Sequence, residues 1–274
     1  LSAAGYIDYD SEKAFFILSD EQYSVLGDEN SPSLMIGGFE NLVGAVHNYN
    51  LIKQNFKTGA GTEWGSLHPC CLSGSARFFK PAYSIFLINK WLPSIKGAIS
   101  TLTKGGSFAD IGCGYGHSTK MIAEEFLQSS VRGIDPHEQS IHEARKVAGQ
   151  KNLNNLTYEV ASAENYSGEY DIISFFDCLH DMGDPIAAVS YAKTKLKAGG
   201  ALMIIEPYAN DDVTKNFNLI GQMYYSFSTI ACIPASKSQK VGMALGAQAG
   251  LKKLTNVLNN YNLASLQNAT NGNN

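Results

Sequence analysis

Cysteine is scarce in this sequence, with five in 274 residues and a single adjacent pair, Cys70-Cys71. No C-x-x-C spacing occurs, so neither a disulfide framework nor a resident metal is expected, and a reducing cytoplasm is the default location. Long apolar runs are missing too. Ala201–Ile205 typifies the longest, far below the ~20 residues that span a bilayer, and no signal peptide is visible. Basic excess is absent: 21 Lys and Arg stand against 25 Asp and Glu, for a net charge of −4. The bases are scattered, which gives no electrostatic reason to expect nucleic acid as the main partner. There is no internal repeat and no low-complexity segment.

What is present is a substantial core composition, 44% hydrophobic, enough for one large domain or a main domain with a small one. The chain is organised around Phe108-Ala-Asp110-Ile-Gly112-Cys113-Gly114-Tyr-Gly116-His117-Ser118-Thr119-Lys120. Phe108 and Ile111 read as the end of a buried strand, and Met121, Ile122 and Phe126 recur at helical spacing. Gly112 and Gly114 permit positive φ and let a ligand reach bare backbone. Ser118 or Thr119 is expected to cap the helix whose free N–H groups face that ligand. A dinucleotide fingerprint would require a third glycine at position 117, which is His117. Asp110, two residues before the first glycine, would oppose a pyrophosphate but suits a ligand carrying an ammonium group. A nicotinamide-dependent oxidoreductase is therefore disfavoured.

Alternating strands and helices follow. Ser130–Asp135 is a short strand ending in an acid, and Asp135-Pro136 falls 23 positions after Gly112. That is close to the interval at which a carboxylate accepts both hydrogen bonds of a ribose diol. Strands are predicted at Leu156–Val160, Tyr170–Phe176 and Ala201–Ile205, the last running into Glu206. A polar cluster, Asp177-Cys178-Leu179-His180-Asp181, follows the fourth strand, where ligands of open α/β sheets bind. The pattern predicts an α/β fold: a doubly wound, mostly parallel sheet with helices on both faces. His180 is the strongest base candidate, because imidazole titrates near neutrality.

Asp110 to Gly116 resembles motif I of class I S-adenosylmethionine-dependent methyltransferases. The resemblance spans about residues 76–210 and implies a Rossmann-like fold with S-adenosylmethionine as cofactor. It places the backbone of Gly112, Cys113, Gly114 and Gly116 against the methionine part, with Asp110 near its amino group. Ser162-Ala163 stands where the family usually has Asp-Ala facing the adenine amine. Asp177 is expected to form a polar wall toward cofactor or substrate. Leu179-His180-Asp181-Met182 is similar to the His-Asp-Trp stretch of winged-helix O-methyltransferases, in which the His is the general base. Here Met182 stands for the Trp, and no second acid matches the family's catalytic pair.

At the other end, Leu1-Ser-Ala-Ala-Gly5 reads as a helix end. Tyr6–Tyr9 and Ala14–Leu18 form a hairpin, so residues 1–33 are expected to be a partial winged-helix module. Asp8, Asp10 and Glu12 in the wing repel phosphate, which makes DNA unlikely and favours packing or a homodimer through this region. Residues 34–75 are expected to link it to the catalytic domain, 76–274. Within them, 34–56 form a helix with Phe39, Leu42, Val43, Val46 and Tyr49 on its apolar face. A loop around Trp64 follows. Phe79-Lys-Pro-Ala-Tyr83 is a lid candidate. Residues 211–258 are read as a helical substrate cap, with helix from Val241 to Leu258, and Leu263–Gln267 as a final strand. Both ends read as cut, so a piece of a longer protein is expected. The expected function is methyl transfer to a small-molecule acceptor, at oxygen. The alternative is a non-catalytic regulator that binds S-adenosylmethionine and DNA.

Overall fold

The structure, a computed structural model, describes residues 1–149 and 152–259. A two-stranded antiparallel hairpin, β1 (Asp8–Asp10) and β2 (Phe15–Ile17), follows a single 3-10 turn at Ser2–Ala4. Helix α1 (Asp20–Leu26) opens with a complete capping box, Ser19 with Gln22. The hairpin matches the sequence reading, but a turn, a hairpin and one helix do not by themselves establish a winged helix.

The predicted helix over 34–56 is two helices, α2 (Ile36–His47) and α3 (Tyr49–Thr58), broken at Asn48. Its buried face also differs from expectation. Leu42, Val43, Val46 and Tyr49 are exposed, and the buried positions of α2 are Gly37, Asn41 and Gly44. The reason is close approach. α2 lies against α4 (Pro69–Phe86) so tightly that a Cβ at Gly37 would sit 2.5 Å from the Gly74 carbonyl oxygen. Glycine contact, rather than the apolar stripe, sets the orientation. α4 itself begins at Pro69, seven positions before the expected 76, because proline at the first helical position costs no hydrogen bond. The drawn boundary at 76 thus falls inside a continuous helix.

After α5 (Ala98–Thr103) comes the sheet. Its strands are β3 (Ser107–Ile111), β4 (Ser130–Asp135), β5 (Leu156–Val160), β6 (Tyr170–Phe176) and β7 (Leu196–Ile205), all parallel in the order β5-β4-β3-β6-β7. β7 starts earlier than expected, with an irregular register between its Leu196 and Ala201 pairings. The crossover helices are α6 (His117–Glu125), α7 (Glu138–Gly149) and α8 (Pro185–Thr194). Strand periodicity divides the core in two. Phe108, Val131, Ile172 and Phe176 pack with Leu102, Ile122 and Phe126 on one face. Ala109, Ile111, Ile173 and Phe175 pack with Ala188, Val189 and Ala192 on the other. The doubly wound sheet expected from the sequence is the observed one. The chain leaves β3 toward β4 and later returns beside β3 as β6, so the carboxyl end of β3 is the topological switch point.

The last segment comprises α9 (Leu219–Phe227), a π-helical turn (Ser228–Cys232), α10 (Ile233–Ser238) and α11 (Leu251–Asn259). Residues 239–250 are not helical, against expectation. Gly242, Gly246 and Gly250 all adopt positive φ there, as do Val241 and Ala244. α11 belongs to the core layer, with Val257 and Leu258 buried in the cluster of α8. The strand read at Leu263–Gln267 lies outside the described residues. Among the described residues no helix is long and apolar enough to cross a membrane.

Candidate active site

The turn from β3 into α6 holds three left-handed glycines, Gly112, Gly114 and Gly116, at φ of 70°, 52° and 73°. They serve different ends. A Cβ at Gly112 would meet Cys178 Sγ at 2.7 Å, and one at Gly116 would meet the Tyr158 ring at 2.7 Å. At Gly114 nothing lies within 4 Å, so this is the open face of the loop. Cys113 is 8% exposed and clusters with Ile141, Ala144 and Tyr158, so only its backbone can serve a ligand. No side chain caps α6. Ser118 and Thr119 instead donate their hydroxyls to Asp110 Oδ2, at 2.6 and 2.7 Å, and Ser174 donates to Oδ1 at 3.1 Å. Asp110 is 1% exposed, and burial pushes its pKa up to about 6 against these three donors. It fixes the loop to the helix from beneath. His117 opens α6, and burial, helped by Lys80 and Lys120, holds it down at about 4.

Asp135 stands at the end of β4. The Gly114 N–H donates to its Oδ2 and the His137 N–H to its Oδ1, each at 2.9 Å. One lone pair on each oxygen is left over, which is what a vicinal diol needs. Pro136 is exposed beside it, and exposed Ser162 with half-buried Ala163 follow β5 on the same edge. Asp110, the glycine loop, Asp135 and Ser162 therefore share the carboxyl edge of adjacent strands.

The second cluster follows β6. Asp177 has φ of 51°, left-handed for a residue with a Cβ, and accepts a 3.3 Å hydrogen bond from the Tyr83 hydroxyl. Burial first, and Glu206 second, push its pKa up to about 8. Tyr83 and Phe79 of the lid candidate pack into the core with Trp91, so this stretch is a fixed wall. His180 sits in a 3-10 turn, Leu179–Asp181, and is 3% exposed. Its Nδ1 pairs with Glu206 Oε2, and its Nε2 lies 3.2 Å from Asp181 Oδ1. Burial alone would lower its pKa, but the Glu206 and Asp181 charges raise it well above the ordinary imidazole value. Glu206 is itself held by the backbone N–H groups of Leu179 (2.9 Å) and His180 (3.3 Å).

Glu206 is the residue that sequence reasoning missed. The sequence showed only an acid ending the fifth strand. Its adjacency to His180 follows from β7 pairing beside β6. The clamp on the His180 turn was equally invisible. Ser236 donates to the Met182 carbonyl at 2.7 Å, Gln239 Nε2 to the Asp181 carbonyl at 2.9 Å, and the Gly246 N–H to the His180 carbonyl at 3.3 Å. Of the expected cap residues, Tyr224 feels the Asp177 charge, and its pKa rises to about 12, chiefly through burial. Tyr225 instead takes a 3.4 Å hydrogen bond from Asn216. The loop after α3 reaches the site's edge: Leu67, with Cys71 and Leu72, forms a cluster against which Trp64, Tyr115 of the glycine turn and Ala231 of the cap pack.

A family model described as Methyltransferase domain matches residues 102–260. A ubiquinone biosynthesis O-methyltransferase of Acinetobacter baumannii is 27% identical over 129 residues, covering 44% of this chain and 51% of the relative. The chain thus spans about half the length of the curated relatives it matches. A solved O-methyltransferase family protein from Burkholderia thailandensis superposes with a TM-score of 0.67 at 11% identity, covering 95% of this chain and 75% of that one. PigF, solved with SAH, gives 0.64 at 15% identity over 94% and 76%. At these identities the solved structures speak to the fold.

Proposed function

This chain belongs to the methyltransferase-domain family, and on that premise we propose that it transfers a methyl group from S-adenosylmethionine to an oxygen of a small-molecule acceptor. The cofactor supplies a methyl already made electrophilic by its sulfonium. The residues fit it on three observations: the open face at Gly114, the spare lone pairs of Asp135, and exposed Ser162 on the neighbouring strand. Backbone at Gly112, Cys113, Gly114 and Gly116 receives the methionine end. Asp110 acts on its ammonium through charge across the loop, because its own oxygens are occupied. Asp135 with Pro136 takes the ribose, Ser162 and Ala163 the adenine, and Asp177 lines the methyl side.

The acceptor binds between Asp177, Tyr83, Tyr224 and the His180 turn, with its hydroxyl set beside the Glu206–His180–Asp181 cluster. The observation that carries this is the buried His180–Glu206 pair, set beside half-buried Asp177 on the ends of adjacent strands. Holding the nucleophile in line contributes about 7–11 kcal/mol of the barrier reduction. The oxygen–methyl bond forms, the carbon–sulfur bond breaks with its electron pair returning to sulfur, and the acceptor's proton is released to water. The test is calorimetry with S-adenosylhomocysteine, followed by a methyl-transfer screen of phenols and alcohols. Tight binding is expected in the parent and in His180→Ala, with turnover of the variant down about 10²–10⁴-fold. An absence of binding in the parent defeats the reading.

For the N-terminal region, residues 1–33 serve as a partial winged-helix module that joins two copies rather than binding DNA. Tyr9 and Phe16 there, with Leu42, Val46 and Phe56 on the two helices that follow, are exposed apolar side chains that a second copy would cover. Sedimentation at micromolar concentration tests it, with a monomer counting against the assignment.

A further inference from the structure

We propose that His180 Nε2, Asp181 and Cys232 form a binding site for a divalent transition-metal ion, zinc by its ligand preferences, on the acceptor side of the methyl-transfer site. The donor atoms of the three residues all lie within 4.8 Å of one another. Among the described residues no other trio of His, Cys, Asp or Glu converges in this way. The 3.2 Å between His180 Nε2 and Asp181 Oδ1 is close to the separation of two ligands on a tetrahedral ion with bonds of about 2.0–2.1 Å. Asp181 Oδ1 is buried with no hydrogen bond of its own and faces His180 Nε2 at 3.2 Å, so these two donors already point at one another across the place an ion would take.

The surroundings are those of a metal ligand set. Glu206 takes Nδ1 of His180, which fixes the ring and leaves Nε2 as the outward donor. Carboxylates behind ligating histidines do this in metal sites generally. Glu206 is tied down in turn by two backbone N–H groups, so the ring cannot rotate away without breaking that network. Cys232 is 8% exposed and comes from the π-helical turn of the cap, whereas His180 and Asp181 come from the 3-10 turn that follows β6. An ion here would staple the cap to the sheet. One thiolate, one imidazole and one carboxylate is a borderline-soft set, which favours zinc over magnesium or calcium. Three protein ligands leave a fourth position for an acceptor oxygen, as in catalytic zinc sites.

In this assignment His180 is a ligand, and the general-base expectation for it gives way. The ion lowers the pKa of an acceptor hydroxyl bound at the open position, and its proton is released to water. The oxygen then forms its bond to the methyl carbon, and the carbon–sulfur electron pair returns to sulfur, leaving a neutral thioether. The role in activation rests on the methyl-transfer reading; the site itself does not.

The test uses the full chain, purified without a polyhistidine tag, stripped with chelator and dialysed against zinc or cobalt(II). The expected result is about one ion per chain, and for cobalt a thiolate charge-transfer band with intense tetrahedral visible bands. Cys232→Ser removes the charge-transfer band, Cys70→Ser keeps it, and Glu206→Gln weakens binding about 10–100-fold. Should Cys232→Ser fail to fold by circular dichroism, Asp181→Asn gives the comparison through weakened zinc binding, with the thiolate band kept by the ion that remains bound. No retained metal in the parent, or equal binding by parent and ligand variants, overturns the site. Calorimetry with S-adenosylhomocysteine on the same samples separates that failure from failure of the methyltransferase reading.

Discussion

Replacing Gly114 and Gly116 by alanine, one at a time, separates two jobs that the glycine turn performs. Both residues are left-handed, so either alanine carries about 1–2 kcal/mol of backbone strain. At Gly116 the methyl would also press into the Tyr158 ring at 2.7 Å, and overpacking a core contact adds about 1–3 kcal/mol. Tyr158 has little room to move, being packed against Ile141 and Ala144. The sum for Gly116→Ala is about 2–5 kcal/mol. Gly114→Ala costs the strain alone, because nothing lies within 4 Å of its new methyl. The order reverses for ligand binding: the methyl at 114 occupies the face assigned to the cofactor. Urea denaturation and calorimetry with S-adenosylhomocysteine measure the two effects. Gly114→Ala is expected to lose at least about tenfold in affinity, about 1.4 kcal/mol, while its stability falls only by the strain of about 1–2 kcal/mol. Parental affinity in folded Gly114→Ala would refute the assignment of this face to the cofactor.

Three further perturbations test the frame and the N-terminal region. Asp110 has its folded-state pKa raised from 3.8 to about 6, so the folded state binds its proton more tightly than the unfolded chain does. Stability therefore falls as pH rises from about 4 to about 6, by up to about 3 kcal/mol for a shift of about two units, and Asp110→Asn flattens that slope in urea titrations. On α2, Gly44→Ala drives a methyl into Cys71 and is expected to destabilise the chain by about 1–3 kcal/mol in the same assay. Val46→Glu, at a position 74% exposed, leaves stability unchanged and weakens self-association in sedimentation if the N-terminal region joins two copies.

Local chemistry was readable from the sequence. The glycine turn, the acid closing the second strand and the alternation of strand and helix each depend on residues near one another in the chain. Their conformations follow from φ freedom, strand periodicity and turn chemistry. α2 misled the reading because its Phe39, Leu42, Val43 and Val46 have the spacing of a buried face, while the packing contact is made by glycines. The stretch 239–250 misled it because chain direction there is set by positive-φ glycines and by bonds to the His180 turn.

The sequence by itself determined the parallel α/β sheet, the cofactor-side loop and the presence of a His-Asp pair after β6. Only the tertiary structure decided what that pair faces. Glu206 lies 26 positions from His180 and Cys232 comes from a different element, yet all converge on one imidazole. The physical reason is that strand order and cap docking are collective outcomes of burying two sheet faces. No short-range pattern encodes which strand ends will be neighbours, so the partners of a buried charge emerge only when the whole sheet is assembled.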